Sequence, residues 1–368
     1  VTTDEASYAR AREIVLAHGW NAVSYQTLHP DVIRWLDPSG DAVVGYGRCA
    51  GTRVVVGAPI CAEAQLLNVV DRFEADATTA GDRVVYLCAG TRLEELLHDR
   101  GSHTLVSIGA LPTWTPTNWA ATVAGHASLR GQLQRARNKG VTVRRLVGRE
   151  SDTEVRESAQ RLLTPIVAAW LATRGLPPLH FMTSPDLLDQ LHDRVVFIAE
   201  HAGEAVAFAV CTPIPARRGW LVEAWPRRPD VPNGTTHLLI DAVLREAAAH
   251  DVSLVTLGLA PLSVQARGDS SNPWWMRLLM RWMRAHGSRF YNFVGLDAFK
   301  ASLRPTTWEP MYAIARGPRV TPTMLRAVAG VFGGGSPGGF VARALAHALR
   351  AELGGGRFRS ANNTAKFP

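Results

Sequence analysis

Cysteine is scarce and its spacing pairs with nothing. Cys49, Cys61, Cys88 and Cys211 stand far apart, and none belongs to a CxxC pair. That excludes a disulfide framework and a thiolate zinc site and fits a reducing compartment, so a cytoplasmic location is expected. Long apolar runs are also missing. The longest stretch without Asp, Glu, Lys or Arg, Gly101–Leu129, is broken by Pro112 and Pro116. No window of about 18 residues could span a membrane. The first residues carry Asp4, Glu5, Arg10, Arg12 and Glu13 instead of a basic start and an apolar stretch, so no signal peptide is expected there. HExxH and GxxxxGK[ST] are absent, and His201, His237 and His250 are not spaced as ligands. No metal site and no ATP-hydrolysing loop are expected.

What is present is a chain of 368 residues, 46% apolar and 20% charged. It can bury a full core, and its length suits two domains. The net charge of +8 is concentrated. Arg130–Arg149 holds seven basic residues and no acid, and Arg316–Pro368 holds eight against Glu352 alone. Two dense basic patches point to a polyanion, either nucleic acid or an anionic lipid surface.

Apolar periodicity predicts an α/β protein. The first half reads as a helix over 6–19, a hairpin with Gly51-Thr52 as its turn, a helix over 62–81, strand RVVYLCAG, helix RLEELLHDRG, strand HTLVSIGALPTW, a basic helix from about Ser128 to Lys139, and strand VTVRRL. The pattern resets near Glu150. A long helix and helix PDLLDQLHD lead to a β-β-β-α-β-α-β run that ends in strand WEPMYAIA. The expected layout is two α/β units, 1–150 and 151–318, with mixed sheets flanked by helices, and then a basic tail, 319–368. In the tail, Phe340, Val341, Leu345, Leu349 and Leu353 form an apolar helical stripe with Arg343, His347 and Arg350 on other faces. Such a helix lies on a membrane or docks on the protein body.

Two stretches could carry chemistry. In WLVEAWPRRPDVPNGTTHLLID, Glu223 is a lone acid in an apolar strand, Arg227, Arg228 and Asp230 crowd the next loop, and Asn233-Gly234-Thr235 opens a helix. A helix N-terminus binds phosphate or carboxylate, although Asn233 or Thr235 could be a plain N-cap. In FYNFVGLDAFKASLRPTTWEP, Lys300 and Arg304 are spaced one helical turn apart, near Tyr291, Asn292 and Glu309. A cation pair facing a cleft can hold phosphate or a developing oxyanion, or can simply be a solvated face.

The stretches LRGQLQRARNKGV, RVVFIAEHAGEAVAF, PNGTTHLLID and above all FYNFVGLDAFKASLRPTTWEPMYAIA resemble the catalytic domain of bacterial lysylphosphatidylglycerol synthases, over about residues 20–316. The resemblance implies a tandem of two GNAT-like (acetyltransferase-like) domains. It implies transfer of an amino acid from aminoacyl-tRNA, as co-substrate and without further cofactor, to an amine or hydroxyl. The acceptor would be a soluble small molecule, as in natural-product pathways, or a phospholipid headgroup. An acyl-CoA-dependent GNAT is the alternative, and a non-catalytic nucleic-acid or membrane binder a weaker one. On this reading Lys300, Glu223 and His237 are catalytic. Arg227, Arg228, Asn233, Gly234, Thr235, Tyr291, Asn292, Arg304 and Glu309 bind substrate. Arg130, Arg135, Arg137, Lys139, Arg144 and Arg145 track tRNA, and the tail makes a peripheral contact at the inner membrane face. Two features depart from the family pattern, Glu223-Ala-Trp-Pro226 in place of an Asp-Leu-Met-Arg run and His237 where an acid is usual, whereas the missing RxxGxG spacing of a coenzyme A loop fits a different donor.

Overall fold

The computed structural model describes residues 3–146, 153–172, 193–263, 265, 272, 274–286 and 293–333. The expected helix PDLLDQLHD up to His192, the apolar stripe after Phe340, and Tyr291 and Asn292 lie outside them.

The first half contains α1 (Thr3–His18), β1 (Ile33–Leu36), β2 (Val43–Cys49), β3 (Thr52–Val56), α2 (Leu66–Thr79), β4 (Arg83–Ala89), α3 (Thr91–His98), β5 (His103–Trp114), α4 (Trp119–Gly125), α5 (Ala127–Asn138) and β6 (Thr142–Arg145). The second contains α6 (Thr153–Ala172), β7 (Val195–His201), β8 (Glu204–Ile214), β9 (Gly219–Ala224), α7 (Thr235–Ala249), β10 (Leu254–Thr256), β11 (Ala260–Pro261), α8 (Trp274–His286), α9 (Phe293–Ser302), β12 (Thr307–Arg316) and α10 (Pro322–Phe332).

Local chemistry accounts for most elements. The β2–β3 hairpin turns at Ala50 and Gly51, at φ +50° and +65°. Two positive φ values give the turn whose twist matches the flanking strands, and they place it one residue before the expected Gly51-Thr52. β3 is fully buried, with Val54, Val55 and Val56 covering both faces and Arg53 paired with Asp76 and Asp82, as befits an interior strand paired in parallel with β4. α2 buries Val69, Val70 and Phe73, each about 1.5–3 kcal/mol of apolar burial.

The strands form one mixed sheet in the order β1-β2-β3-β4-β12-β5-β10-β9-β8-β7-β6, with β11 added on β5. Pairing across the sheet joins the halves in ways that chain order conceals. β12, expected to end the second half, lies between β4 and β5 and pairs antiparallel with both. β6 pairs with β7 at the far edge, and α5 packs on α7. The basic helix therefore belongs spatially to the second half. Gly109 shows how closely β11 meets β5: a Cβ there would lie 2.3 Å from the Ala260 carbonyl oxygen.

Both halves contain a parallel β-α-β unit, β4-α3-β5 and β9-α7-β10. In the first, the gap between the two strands is filled by β12. In the second, β9 and β10 are direct neighbours. One core lies on the α7 side, with Val222, Leu239, Val243 and Phe299. Another lies on the opposite side, with Ala22, Leu111, Ile214, Leu221 and Met311. α10 docks on β2 and β3 and buries Met324, Ala327 and Val331, so the first part of the expected tail packs against the body.

Candidate active site

β9 and β10 pair for only three residues, Gly219 with Leu254, Trp220 with Val255 and Leu221 with Thr256. Beyond that, β9 stays with β8 and the chain continues along it, the Phe208 amide donating to the Pro226 carbonyl and the Arg228 amide to the Val206 carbonyl. β10 turns away instead, through Gly258 at φ +73°. The two strands thus part like a wedge at their C-terminal ends, a place where open α/β sheets accept ligands.

Lys300 of α9 occupies this wedge. It is 1% exposed. Its Nζ donates to the carbonyls of Gly258 at 2.8 Å and Leu259 at 2.9 Å and lies 5.8 Å from the centre of the Trp225 ring, just past β9. Among the described residues no carboxylate forms an ion pair with it. Burial pushes its pKa down to about 7, and Asp297 one turn earlier offsets only part of this. Asp297 is engaged elsewhere: it accepts from Ser263 Oγ at 2.6 Å and pairs with Arg284 at 3.1 Å.

His237, in the first turn of α7, completes the wall. Its ring meets Phe299 edge-on at 5.2 Å, and Trp225 stacks on Phe299 at 6.5 Å. Burial, reinforced by the charge of Arg135, lowers the imidazole pKa to about 4. The Ser302 hydroxyl donates to the Phe299 carbonyl at 2.6 Å and lies 3.1 Å from His237 Nε2. Because that hydroxyl proton is committed, Nε2–H must be the donor, and Nδ1 keeps a free lone pair.

Glu223 does not join this group. Alternation along β9 sends Val222 into the α7-side core and Glu223 to the other face. There it pairs with Arg194 at 3.2 Å, the side chains 10% and 6% exposed, and Arg194 lies over the Tyr25 ring. The residues expected to be catalytic therefore divide into Lys300 and His237 on one side and Glu223 on the other.

The loop residues have mostly structural surroundings. Arg227 bridges to Ala207 as a short strand extension, where burial lowers its pKa, and Arg228 pairs with Glu204 at 3.4 Å. Asn233 is exposed. The N-cap of α7 is Gly234, at φ +92°. A Cβ there would meet the Gln132 carbonyl oxygen at 2.2 Å, so glycine lets the backbones of α5 and α7 touch. The Thr235 hydroxyl donates to the Pro232 carbonyl at 2.6 Å, which leaves neither Asn233 nor Thr235 as the cap. Arg304 lies beyond the end of α9, exposed and left-handed at φ +53°. It shares no helical face with Lys300, contrary to the expected spacing. Glu309 binds Arg217 through both carboxylate oxygens, at 2.9 and 2.5 Å, in a different cavity.

The basic patch is thinner than its sequence count. Arg137 pairs with Asp241, Arg144 with Glu200 and Arg145 with Glu246. Arg130, Arg135 and Lys139 are exposed, and among the described residues no acid pairs with them. Arg135 is the link to the site, because its charge is felt at His237.

Sequence reasoning overlooked Trp225 and Phe299 as site walls, and Arg194. It also overlooked the surface of α8. Trp274, Leu278 and Trp282 are 72%, 59% and 60% exposed. They recur every fourth residue in a helix with Arg277, Arg281 and Arg284 and no acid. Arg284 holds α8 to the site, donating to the Leu262 carbonyl at 2.5 Å besides pairing with Asp297. Among the described residues no His, Cys, Asp and Glu cluster could hold a metal ion, and no helix is long and apolar enough to cross a membrane.

The same architecture occurs in solved structures. The C-terminal domain (DUF2156) of a protein described as a lysylphosphatidylglycerol synthetase from Agrobacterium fabrum is 23% identical, covers 91% of this chain and 98% of its own, and superposes with a TM-score of 0.74. L-PGS from Bacillus licheniformis is 20% identical, with coverage of 88% and 96% and a TM-score of 0.74. FemX is more distant, at 10% identity, 86% and 95% coverage and a TM-score of 0.50. No curated protein matches the chain. These likenesses establish a mixed α/β fold shared with those structures. The family model "Phosphatidylglycerol lysyltransferase, C-terminal" matches residues 12–315, as the motif resemblance implied, and the chain belongs to that family.

Proposed function

We propose that this protein is an aminoacyltransferase that takes an amino acid from aminoacyl-tRNA and esterifies the hydroxyl of an anionic lipid headgroup. The observation that carries the reading is Lys300, a buried cation held by two backbone carbonyls in the wedge between β9 and β10. An ammonium has three N–H groups. Two are used, and the third is available to an oxygen that becomes negative. Burial opposes the charged form of Lys300, so an arriving oxyanion gains most from it in the transition state.

The acceptor oxygen attacks the ester carbonyl carbon, and the C–O bond to the terminal tRNA ribose breaks. His237 Nδ1 takes the acceptor's proton and returns it to the leaving ribose oxygen. Its low pKa keeps it unprotonated, and a tRNA phosphate paired with Arg135 would remove one cause of that depression and strengthen it as a base. Trp225 and Phe299 exclude water and hold the reactants in register. The missing RxxGxG spacing and the tight α5–α7 joint at Gly234 argue against a coenzyme A donor.

The acceptor is chosen from α8. Indoles and arginines on one exposed helical face suit the interface of an anionic bilayer, with the rings at headgroup level and the cations on phosphates. A cytoplasmic protein resting on the inner membrane face by α8 would bring headgroups to the wedge. The test supplies total aminoacyl-tRNA and vesicles with or without phosphatidylglycerol, and follows which labelled amino acid enters the lipid. Transfer should vanish with RNase and should not be restored by acetyl-CoA. Transfer to a water-soluble component of cell extract, with none to lipid, would overturn the acceptor. RNase-resistant activity would overturn the donor. Trp274→Ser with Trp282→Ser should abolish binding to anionic vesicles, whereas retained binding would remove α8 from the argument.

A further inference from the structure

A cavity of about 120 Å³ lies where residues of the first half meet Arg217 and β12, and Lys300 does not line it. Its wall includes Trp20, Arg92, Arg217 and Glu309. The guanidinium carbons of Arg92 and Arg217 lie 5.3 and 5.5 Å from the centre of the same Trp20 ring. Two cations on one indole repel unless each is balanced. Arg217 is balanced by its two-point pair with Glu309. Arg92 is balanced only loosely: its Nε and Nη2 are buried without a hydrogen-bond acceptor. The nearest carboxylate, Glu63, stands 3.8 Å from Nε on a side chain 81% exposed. Asn21, also on the wall, is already used, donating to the Cys88 carbonyl and accepting from the Val23 amide.

A guanidinium with two adjacent unused donors has the geometry that binds a carboxylate or phosphate through two oxygens. The surroundings favour an anion. Gly90 and Thr91, at the start of α3, line the same cavity, and no side chain caps that helix, so its positive end adds to the Arg92 charge. Glu309 stays with Arg217 and closes the other end to a second negative group.

We propose that this cavity is a binding site for a small oxyanion, a phosphate monoester or short carboxylate gripped by Arg92 over the Trp20 ring. The volume takes such a group. The site is separate from the wedge, and the proposal does not depend on the reaction assigned there.

The experiment follows melting temperature and tryptophan fluorescence of the full chain during titration with inorganic phosphate, acetate, glycerol 3-phosphate and a 3′-CCA minihelix. Wild type should show saturable stabilisation by phosphate and acetate. Glycerol 3-phosphate binding tighter than phosphate would identify a headgroup-like source, tighter minihelix binding a tRNA source, and neither a free metabolite. Arg92→Gln should lose at least tenfold in phosphate affinity while melting no lower than wild type without ligand, because it removes a buried cation that lacks acceptors. Arg92→Lys should retain part of the affinity, and Lys300→Met should retain all of it. Equal stabilisation of wild type and Arg92→Gln, or no saturable response in wild type, would overturn the proposal.

Discussion

Replacing Lys300 with Met tests the wedge through stability as well as rate. The methionine keeps most of the aliphatic stem and removes the ammonium. In the unfolded chain the lysine titrates near 10.5, and in the fold near 7. Between those values the unfolded state binds more protons, so wild-type stability must rise with pH across the window. The slope approaches about 1.4 kcal/mol per pH unit and the total is on the order of 5 kcal/mol. Below about pH 7 both states are protonated and the full burial penalty is felt. Lys300→Met should abolish this slope. It also strips the Gly258 and Leu259 carbonyls of their donor, a cost of about 1–3 kcal/mol each, so the variant and wild type should differ little near pH 7 and the variant should be clearly less stable near pH 10. The assay is urea unfolding at a series of pH values, paired with single-turnover transfer from pre-charged tRNA. Turnover should fall about a hundredfold or more, the scale of a lost oxyanion donor. Parallel stability–pH curves for the two proteins, or near-normal turnover, would refute the role given to Lys300.

Three further outcomes follow from other contacts. His237 is held neutral with a pKa near 4 against 6.5 when unfolded, so it withdraws stability as pH falls from about 6.5 towards 4; His237→Gln should flatten that limb, and Arg135→Gln should raise the imidazole pKa seen by NMR. Changing Arg130, Arg135 and Lys139 together to Ala should weaken tRNA binding and lower its salt dependence by up to about three phosphate contacts, whereas Arg144→Ala and Arg145→Ala, already paired with Glu200 and Glu246, should change the slope little. Glu223→Gln leaves the Arg194 cation facing a neutral amide inside the protein and should cost roughly 3 kcal/mol in urea unfolding, and a variant that melts like wild type would show that the pair is dispensable.

Much of this fold could be read from the chain, because local pattern sets local structure. Val69, Val70, Phe73 and Ala77 mark the buried face of α2, and the twelve residues of β5 read as one long strand. The placement of β12 could not be read. Nothing in WEPMYAIA says that its partners are β4 and β5, more than 190 residues upstream. The separation of Glu223 from His237 was partly legible: strand alternation puts Val222 and Glu223 on opposite faces, and a strand–loop–helix grouping by sequence proximity ignores that parity. The partner Arg194 is a long-range contact with no local signal. The α8 stripe was legible in WWMRLLMRWMR, since Trp274, Leu278 and Trp282 share a face, but exposure is what separates a surface stripe from a core stripe, and only the fold supplies it.

The difference between the halves supports the proposed placement of the chemistry in the second. Each contains two parallel strands joined by a helix, and such a unit naturally opens between the strand ends. In the first half β12 enters the opening, paired with β5 along its ten residues and with β4 over Tyr312–Ala315, so β4 and β5 are not free to part from each other as β9 and β10 do. In the second half the opening remains, and α9, which immediately precedes β12, delivers Lys300 into it. One segment, Phe293–Arg316, therefore closes one wedge and arms the other. The left-handed turn at Arg304 lets the chain reverse between these tasks, which accounts for an exposed arginine at a position where sequence spacing had suggested a substrate-binding cation beside Lys300.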